Sequence, residues 1–148
     1  MTYSKLDGKH LLKAWIPLLA LAAHDPKRAW SATCVGRPRR GAPPRGCRLW
    51  RPPRLGPVGI ARPRRALRRG PPNPPLPLPI KTSYAWAAAR DAGDDPEQAA
   101  NYRWKNECED KAIERVWGRG ARLTDLAGLD EYAQRLWIPL LRAERGWR

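Results

Sequence analysis

A single 40-residue segment, residues 36–75, limits what this chain can fold into. It contains 12 Arg, 11 Pro, 6 Gly and 3 Ala, and it contains no acidic residue. Proline removes a backbone donor, glycine raises the entropy cost of ordering, and no apolar period of 2 or 3.6 runs through the segment. The sequence therefore predicts that residues 36–75 are disordered or form an extended connector.

The same segment holds most of the charge of the 148-residue chain. Residues 1–35 carry +3, residues 36–75 carry +12 and residues 76–148 are neutral, which gives the formal +15. A chain this basic is typical of nucleic-acid binders, whose arginines neutralise phosphates without reading sequence. The alternative, which the missing apolar pattern favours, is a solvated segment that binds nothing. The candidate nucleic-acid contacts are Arg39, Arg40, Arg64, Arg65, Arg68 and Arg69.

The first region, residues 1–35, predicts a helix followed by a strand. Apolar residues recur at helical spacing from Leu11 to Ala22, and Ser4 or Asp7 can cap the start. Residues 30–35 contain β-forming Thr and Val. We expect this helix and strand to belong to the same domain as residues 76–148.

The last region, residues 76–148, predicts a mainly helical unit. Helices are expected from Thr82 or Ser83 to about 90, from Asp95 to about 107 and from about 130 to 143, with a short strand over 113–117. The sequence as a whole predicts an α/β or mostly α fold with an unstructured loop in its middle. The predicted core consists of Trp15, Leu18, Leu19, Trp86, Trp104, Leu136, Trp137 and Leu140.

The pentapeptide Trp-Ile-Pro-Leu-Leu occurs twice, at 15–19 and at 137–141. Nothing around the two copies matches, so we interpret them as two amphipathic core helices with similar packing needs rather than as a repeat. Pro17 predicts a kink or a restart in the first of these helices.

The acidic residues of the last region fit helix capping better than catalysis. Asp95 and Glu97 suit a helix start. The best nuclease-like candidate, residues 107–111 (ECEDK), lies at a helix end without a supporting constellation. No P-loop, GxGxxG or Ser/His/Asp arrangement is present. The sequence predicts no catalytic residue, metal, cofactor or small-molecule substrate.

The cysteines and the apolar stretch indicate a compartment. Cys34, Cys47 and Cys108 are odd in number and lack CxxC spacing, which argues against a disulfide framework or a zinc site and suits a reducing cytoplasm. Residues 11–23 are too short and amphipathic to span a bilayer, and they fit a signal peptide poorly. We therefore expect a cytoplasmic protein without a membrane partner.

Two parts of the chain resemble a known family. The first is residues 3–15 (YSKLDGKHLLKAW) with 30–37, and the second is residues 75–86 (PLPLPIKTSYAW) followed by DPE at 95–97, YRW at 102–104 and residues 132–141. Both resemble the C-terminal domain of the exodeoxyribonuclease V gamma subunit (RecC-type). The run LPLPIKTSYAW is fairly specific, whereas the helical segments alone are not.

This resemblance implies a function that the residues alone do not show. It implies a non-catalytic part of the ATP-dependent helicase–nuclease that acts in double-strand break repair and recombination. The implied fold is the remnant of a nuclease-like α/β domain that lacks its active site. The implied partners are double-stranded DNA ends and the beta and alpha subunits. The alternatives are a small basic nucleic-acid-binding protein that uses residues 36–69, and a Pro-rich ligand that uses the PxxP spacing of residues 71–79.

The central segment departs from the family pattern, which has acids and a helical period there. Reading GC-rich DNA in a wrong frame yields mainly Arg, Pro, Gly and Ala. We hypothesise that the reading frame is shifted near Arg37 and restored near Pro75, which would leave a truncated domain of marginal stability. Translating the other two frames tests this: if neither gives an acid-containing helical segment, the hypothesis is wrong.

Overall fold

The chain is described by a computed structural model that defines residues 6–37, 45–50 and 78–146. These ranges form helices and a small sheet, and the predicted α/β or mostly α class is confirmed. The helices are α1 (Gly8–His24), α2 (Ile80–Ala92), α3 (Pro96–Glu107), α4 (Lys111–Trp117) and α5 (Leu129–Ala143). The strands are β1 (Ser31–Gly36), β2 (Arg45–Trp50) and β3 (Glu144–Gly146).

The three strands form one antiparallel sheet in the order β1-β2-β3. Helices α1 and α5 contact one face of this sheet. Cys47 and Leu49 of β2 are buried against those helices, while Arg48 between them is exposed. The sheet therefore has an apolar inner face and a solvated outer face, as an antiparallel sheet at a domain surface commonly does.

Strand β2 corrects the prediction of disorder for part of residues 36–75. Cys47 and Leu49 alternate with exposed Arg48 at the period of a strand, and burial of both side chains fixes the register. Composition taken over 40 residues hid this six-residue pattern. Residues 38–44 and 51–77 lie outside the described residues, so disorder of the remaining segment stays a prediction.

Helix α1 confirms the prediction for the first region. Asp7 accepts a hydrogen bond from the Lys9 N–H at 3.1 Å, and His10 completes a capping box with it. Pro17 lies within an unbroken helix, and Asp25 follows its last residue. Across the described ranges, neither α1 nor another helix is long and apolar enough to cross a membrane.

Two predictions for the last region are wrong, namely the start of one helix and the assignment of one segment as a strand. Helix α2 begins at Ile80 rather than behind a Thr82 or Ser83 cap, because a carboxylate from α3 caps it instead. Residues 111–117 form helix α4, not the short strand expected over 113–117. Ile113 and Trp117 are four residues apart and pack against the same apolar cluster, which is helical spacing.

The core consists of two clusters. The larger joins α1, α2, α5 and the inner face of the sheet, and the smaller joins Trp104 of α3 to Leu126 and Leu129. The Trp104 indole N–H donates to the Ala121 carbonyl at 3.1 Å. Six of the eight predicted core residues are buried, and Leu19 and Leu136 are half-buried against the larger cluster.

Candidate functional site

The six arginines predicted to contact nucleic acid lie outside the described residues, so their role stays a prediction. Arg37 and Arg48 are the arginines of residues 36–75 whose side chains are described, and both are exposed. Arg48 lies on the outer face of β2, away from the core. The sheet therefore presents at least one arginine of the basic segment to solvent.

The best-defined polar arrangement surrounds the first turn of α2. Glu107, at the end of α3, is only 7% exposed. Its Oε2 accepts hydrogen bonds from the Thr82 N–H and the Thr82 hydroxyl, both at 2.7 Å, and its Oε1 accepts one from the Lys81 N–H at 2.9 Å. A carboxylate there satisfies otherwise unpaired helix donors and complements the helix dipole. Glu107, the leading acid of the nuclease-like candidate, therefore acts as a helix cap.

The next two residues of α2 connect this turn to α5. The Trp137 indole N–H donates to the Ser83 hydroxyl oxygen at 2.9 Å, with both groups buried. The Tyr84 ring packs edge-on against Trp137, with centroids 5.2 Å apart. Tyr84 also lies so close to Gly8 of α1 that an added Cβ there would be 2.7 Å from the Tyr84 ring. We name these residues, Thr82, Ser83, Tyr84, Glu107 and Trp137, the α2 junction.

Two further acids of the last region, Asp95 and Asp110, also cap helices. Asp95 accepts from the Glu97 N–H at 2.9 Å and the Gln98 N–H at 3.1 Å, and Asp110 accepts from the Ala112 N–H at 2.9 Å. Within the described ranges, no group of three or more His, Cys, Asp and Glu side chains is placed to hold a metal ion. These capping acids thus have structural partners that account for their positions.

One pair of cysteine side chains meets in the structure without having been expected from the sequence. Cys34 of β1 and Cys47 of β2 are directly opposed in the sheet register, and both side chains lie at its inner face, in or against the larger core cluster. Both cysteines are free. Their separation in sequence does not match CxxC spacing, so only the period-2 alternation of both strands could have indicated that they meet.

Burial controls the protonation of this inner face. It raises the pKa of the Cys47 thiol to about 12 and that of the Tyr84 hydroxyl to about 12, and the facing Glu144 carboxylate adds to both shifts. Burial also raises the pKa of Cys34 and of Glu144 itself. Because Cys47 and Tyr84 stay protonated at neutral pH, neither is a ready nucleophile there.

The chain is similar to RecC subunits over nearly its whole length. It is 49% identical over 164 residues to the RecBCD enzyme subunit RecC of Mycolicibacterium smegmatis, with 98% of this chain and 15% of that subunit covered. It is 41% identical over 165 residues to the subunits of the same name from two Mycobacterium tuberculosis strains. These alignments cover 97% of this chain and 15% of each of those subunits. No protein-family model and no solved structure matches the chain.

The extent of this similarity confirms the resemblance that residues 3–37 and 75–141 indicate. Because 98% of the chain is covered, the aligned stretch spans residues 36–75 as well as their flanks. The aligned length exceeds the 148 residues of the chain, so the relatives contain residues with no counterpart here. The chain is a homologue of one segment, about 15% of the length, of the RecC subunit of the RecBCD enzyme (exodeoxyribonuclease V gamma).

Proposed function

We propose that this chain acts as a non-catalytic part of a RecC-type gamma subunit in the processing of double-strand DNA breaks for recombination. The parent complex would be the ATP-dependent helicase–nuclease exodeoxyribonuclease V. The observation that carries the proposal is the 41–49% identity over nearly the whole chain to proteins named as RecBCD enzyme subunits. Double-stranded DNA ends and the beta and alpha subunits are its proposed partners, and the cytoplasm its proposed location.

The bonding of Glu107 supports a non-catalytic role. Both of its carboxylate oxygens accept hydrogen bonds within the first turn of α2, which leaves this acid to hold a helix start. We expect the purified chain to leave linear duplex DNA uncut in the presence of Mg²⁺ and ATP. We expect Glu107→Gln to lower the unfolding temperature, while the exposed neighbour Glu109→Gln leaves it unchanged. DNA cleavage that Glu107→Gln abolishes in a folded chain would overturn the proposal.

The outer face of α1 supports a protein partner. Ile16 is 58% exposed and Leu21 is 44% exposed, with exposed Pro17 and Ala20 between them. These residues lie opposite the buried face that carries Leu11, Trp15 and Leu18. This exposed apolar patch lies between exposed Lys13 and His24 on the same face, and such patches commonly mark a contact with another protein. We assign the covering surface to the beta helicase–nuclease subunit, since the relatives are subunits of a multi-subunit enzyme.

Co-purification of this chain with the beta subunit tests that assignment. We expect capture by the wild-type chain and at least a tenfold loss with the double variant Ile16→Asp/Leu21→Asp. Tyr102→Asp is the matched control, because Tyr102 is a large exposed side chain on α3, 68% accessible. Circular dichroism must show that both variants stay folded. Undiminished capture by the double variant, or no capture by the wild type, would refute the assigned interface.

A second function, a small basic nucleic-acid-binding protein, is favoured by the twelve arginines of residues 36–75 and their lack of acidic neighbours. Deleting the segment would remove β2 from the core, so substitution is the cleaner experiment. A variant with Gln at all six candidate arginines keeps β2 intact. If these arginines bind duplex DNA, the slope of log affinity against log salt decreases by about 0.9 for each phosphate that the variant no longer neutralises. An unchanged slope would exclude this function for them.

A further inference from the structure

We propose that Cys34 and Cys47 form a dithiol–disulfide site that a low-molecular-weight disulfide oxidises, and that the resulting bond fastens the central strand of the sheet to its neighbour. This inference concerns the sheet alone and does not depend on the proposed function. It would hold equally if the chain had no partner at all.

The sheet register places the two cysteines at disulfide distance. Cys34 and Cys47 are partners across an antiparallel pair. Such partners have Cα atoms about 4.5 to 5.5 Å apart, and disulfides join Cα atoms about 4.4 to 6.8 Å apart. The alternation of each strand directs both side chains to the inner face of the sheet, where Cys47 is buried and Cys34 packs against the same cluster. Bond formation therefore requires little movement of the backbone.

The two thiols differ in access, which sets the order of reaction. Cys34 is half-buried, whereas Cys47 is only 2% exposed. The Cys34 thiolate attacks one sulfur of the small disulfide, the S–S bond breaks, and one small thiol leaves. The Cys47 thiolate then attacks the Cys34 sulfur and expels the second small thiol. Two protein thiols are oxidised, one disulfide is reduced to two thiols, and the two protons pass to those thiols.

The surroundings make this exchange slow at neutral pH. Burial raises the pKa of both thiols, and Glu144 of β3 adds to the rise, while Tyr84 of α2 faces Cys47. Only the thiolate attacks, so the rate should increase about tenfold per pH unit between pH 7 and about 9. The pair would therefore remain reduced during brief exposure to a small disulfide and would become oxidised only under sustained oxidising conditions.

Strand β2 is the element that the bond would fasten. It lies between β1 and β3, so the bond would add a covalent link to its hydrogen-bonded pairing with β1. The bond would close a ring of 14 residues from Cys34 to Cys47. A ring of this size restricts the unfolded chain, so the oxidised form should unfold at a temperature higher by on the order of 10 °C.

The test uses the full chain with Cys108→Ser, which leaves only the pair. The protein is equilibrated with oxidised and reduced glutathione, free thiols are alkylated, and an unreduced digest is analysed by mass spectrometry. We expect a peptide that links Cys34 to Cys47 and the higher unfolding temperature in the same sample. Two alkylated thiols in glutathione disulfide alone, an intermolecular link, or a lower unfolding temperature would each overturn the proposal.

Single substitutions separate the two steps. With Cys47→Ser, we expect Cys34 to retain one glutathione and the unfolding temperature to stay unchanged by oxidation. With Cys34→Ser, we expect the buried Cys47 to react at least tenfold more slowly than Cys34 does. Cys47→Ala serves as a second variant should the serine hydroxyl unfold the core. Equal reaction rates for the two cysteines would contradict the assigned order.

Discussion

Two helices of this molecule contain the same five residues in different surroundings. Trp-Ile-Pro-Leu-Leu lies at 15–19 in α1 and at 137–141 in α5. In both copies the Trp and the Leu three residues later are buried, with Trp15 3% exposed and Trp137 fully buried. The spacing of these two side chains along a helix is therefore enough to bury them.

The residues between them differ in burial. Ile16 of α1 is exposed, whereas Ile138 of α5 packs against the larger core cluster. Helix α5 contacts α1, α2 and strands β2 and β3, whereas α1 contacts α2, α5 and strand β1 and leaves Ile16 exposed. The same pentapeptide can thus lie in a helix that is covered on several sides or in a helix that is exposed on its outer face, depending on the elements that pack around it. This difference leaves an exposed apolar patch on α1 that includes Ile16 and Leu21.

The largest expected effect separates the two tryptophans. Replacing a buried Trp by Ala costs about 3–5 kcal/mol. Trp137→Ala should cost about 1 kcal/mol more than Trp15→Ala, because it also removes the hydrogen bond to Ser83 and the edge contact with Tyr84. Urea unfolding followed by circular dichroism measures both. Equal losses of unfolding free energy would show that the α2 junction adds nothing to the α5 copy.

The isoleucines give the next largest difference. Ile138→Asp places a carboxylate against the core and should cost about 2–3 kcal/mol of unfolding free energy. Ile16→Asp lies in solvent and should change it by less than about 0.5 kcal/mol. The same unfolding experiment measures both variants. A large loss from Ile16→Asp would mean that the outer face of α1 is covered within this chain, and it would remove the argument for a partner.

Most helices could be predicted from the sequence, because their signals are local. Asp7 and Asp95 precede helices and cap them through side chains that accept hydrogen bonds from N–H groups two residues ahead. Strand β1 and helix α5 were likewise expected from β-forming and apolar patterns. The specific LPLPIKTSYAW run correctly indicated the family, and residues 82–84 within it pack in the α2 junction.

What could not be predicted depends on contacts between distant residues. Glu107 caps a helix that begins 27 residues earlier, so no local motif identifies its role. Strand β2 is too short to stand out from an Arg/Pro/Gly-rich composition, and it is stabilised by pairing on both sides. The Cys34–Cys47 pair depends on that strand. Each of these features depends on the strand register or on packing between distant residues, and neither can be predicted from local sequence patterns.

A smaller, pH-dependent effect on folding stability is expected from two side chains that pack near α5. Cys47 and Tyr84 have folded-state pKa values raised to about 12 from ordinary values of 9.0 and 10.0. Between those values the folded state binds more protons than the unfolded state, so stability is present at lower pH and is lost as pH rises from about 9 to about 12. The slope is at most about 1.4 kcal/mol per pH unit for each group, and solvent screening reduces it.

Unfolding temperatures measured across that range, without oxidant, test this expectation. Cys47→Ala and Tyr84→Phe should each flatten the decline, although both lower the stability at lower pH through weaker packing. Tyr102→Phe is the control, since Tyr102 is exposed on α3. An equal decline in all three variants would mean that the alkaline loss arises elsewhere in the chain.

The smallest effect concerns the residue at the end of α5. Glu144 is half-buried, burial raises its pKa, and its backbone pairs with Leu49 of β2. A carboxyl with a raised folded-state pKa favours the folded state at low pH, and that contribution is lost as pH rises through the folded value. Glu144→Gln should therefore raise the unfolding free energy at neutral pH by less than about 1 kcal/mol, and the unfolding temperature should increase with it. The gain should vanish in acid, where the wild-type carboxyl is protonated in both states.

The matched control for Glu144 lies at the other end of the same helix. Glu131→Gln, on the exposed first turn of α5, should have little effect in acid or at neutral pH. Unfolding temperatures of both variants and the wild type, measured at the two pH values, make the comparison. If Glu144→Gln were destabilised at neutral pH, the charged carboxylate of Glu144 would have a stabilising partner. The C-terminal end of α5 would then accommodate an acidic side chain as well as its first turn does.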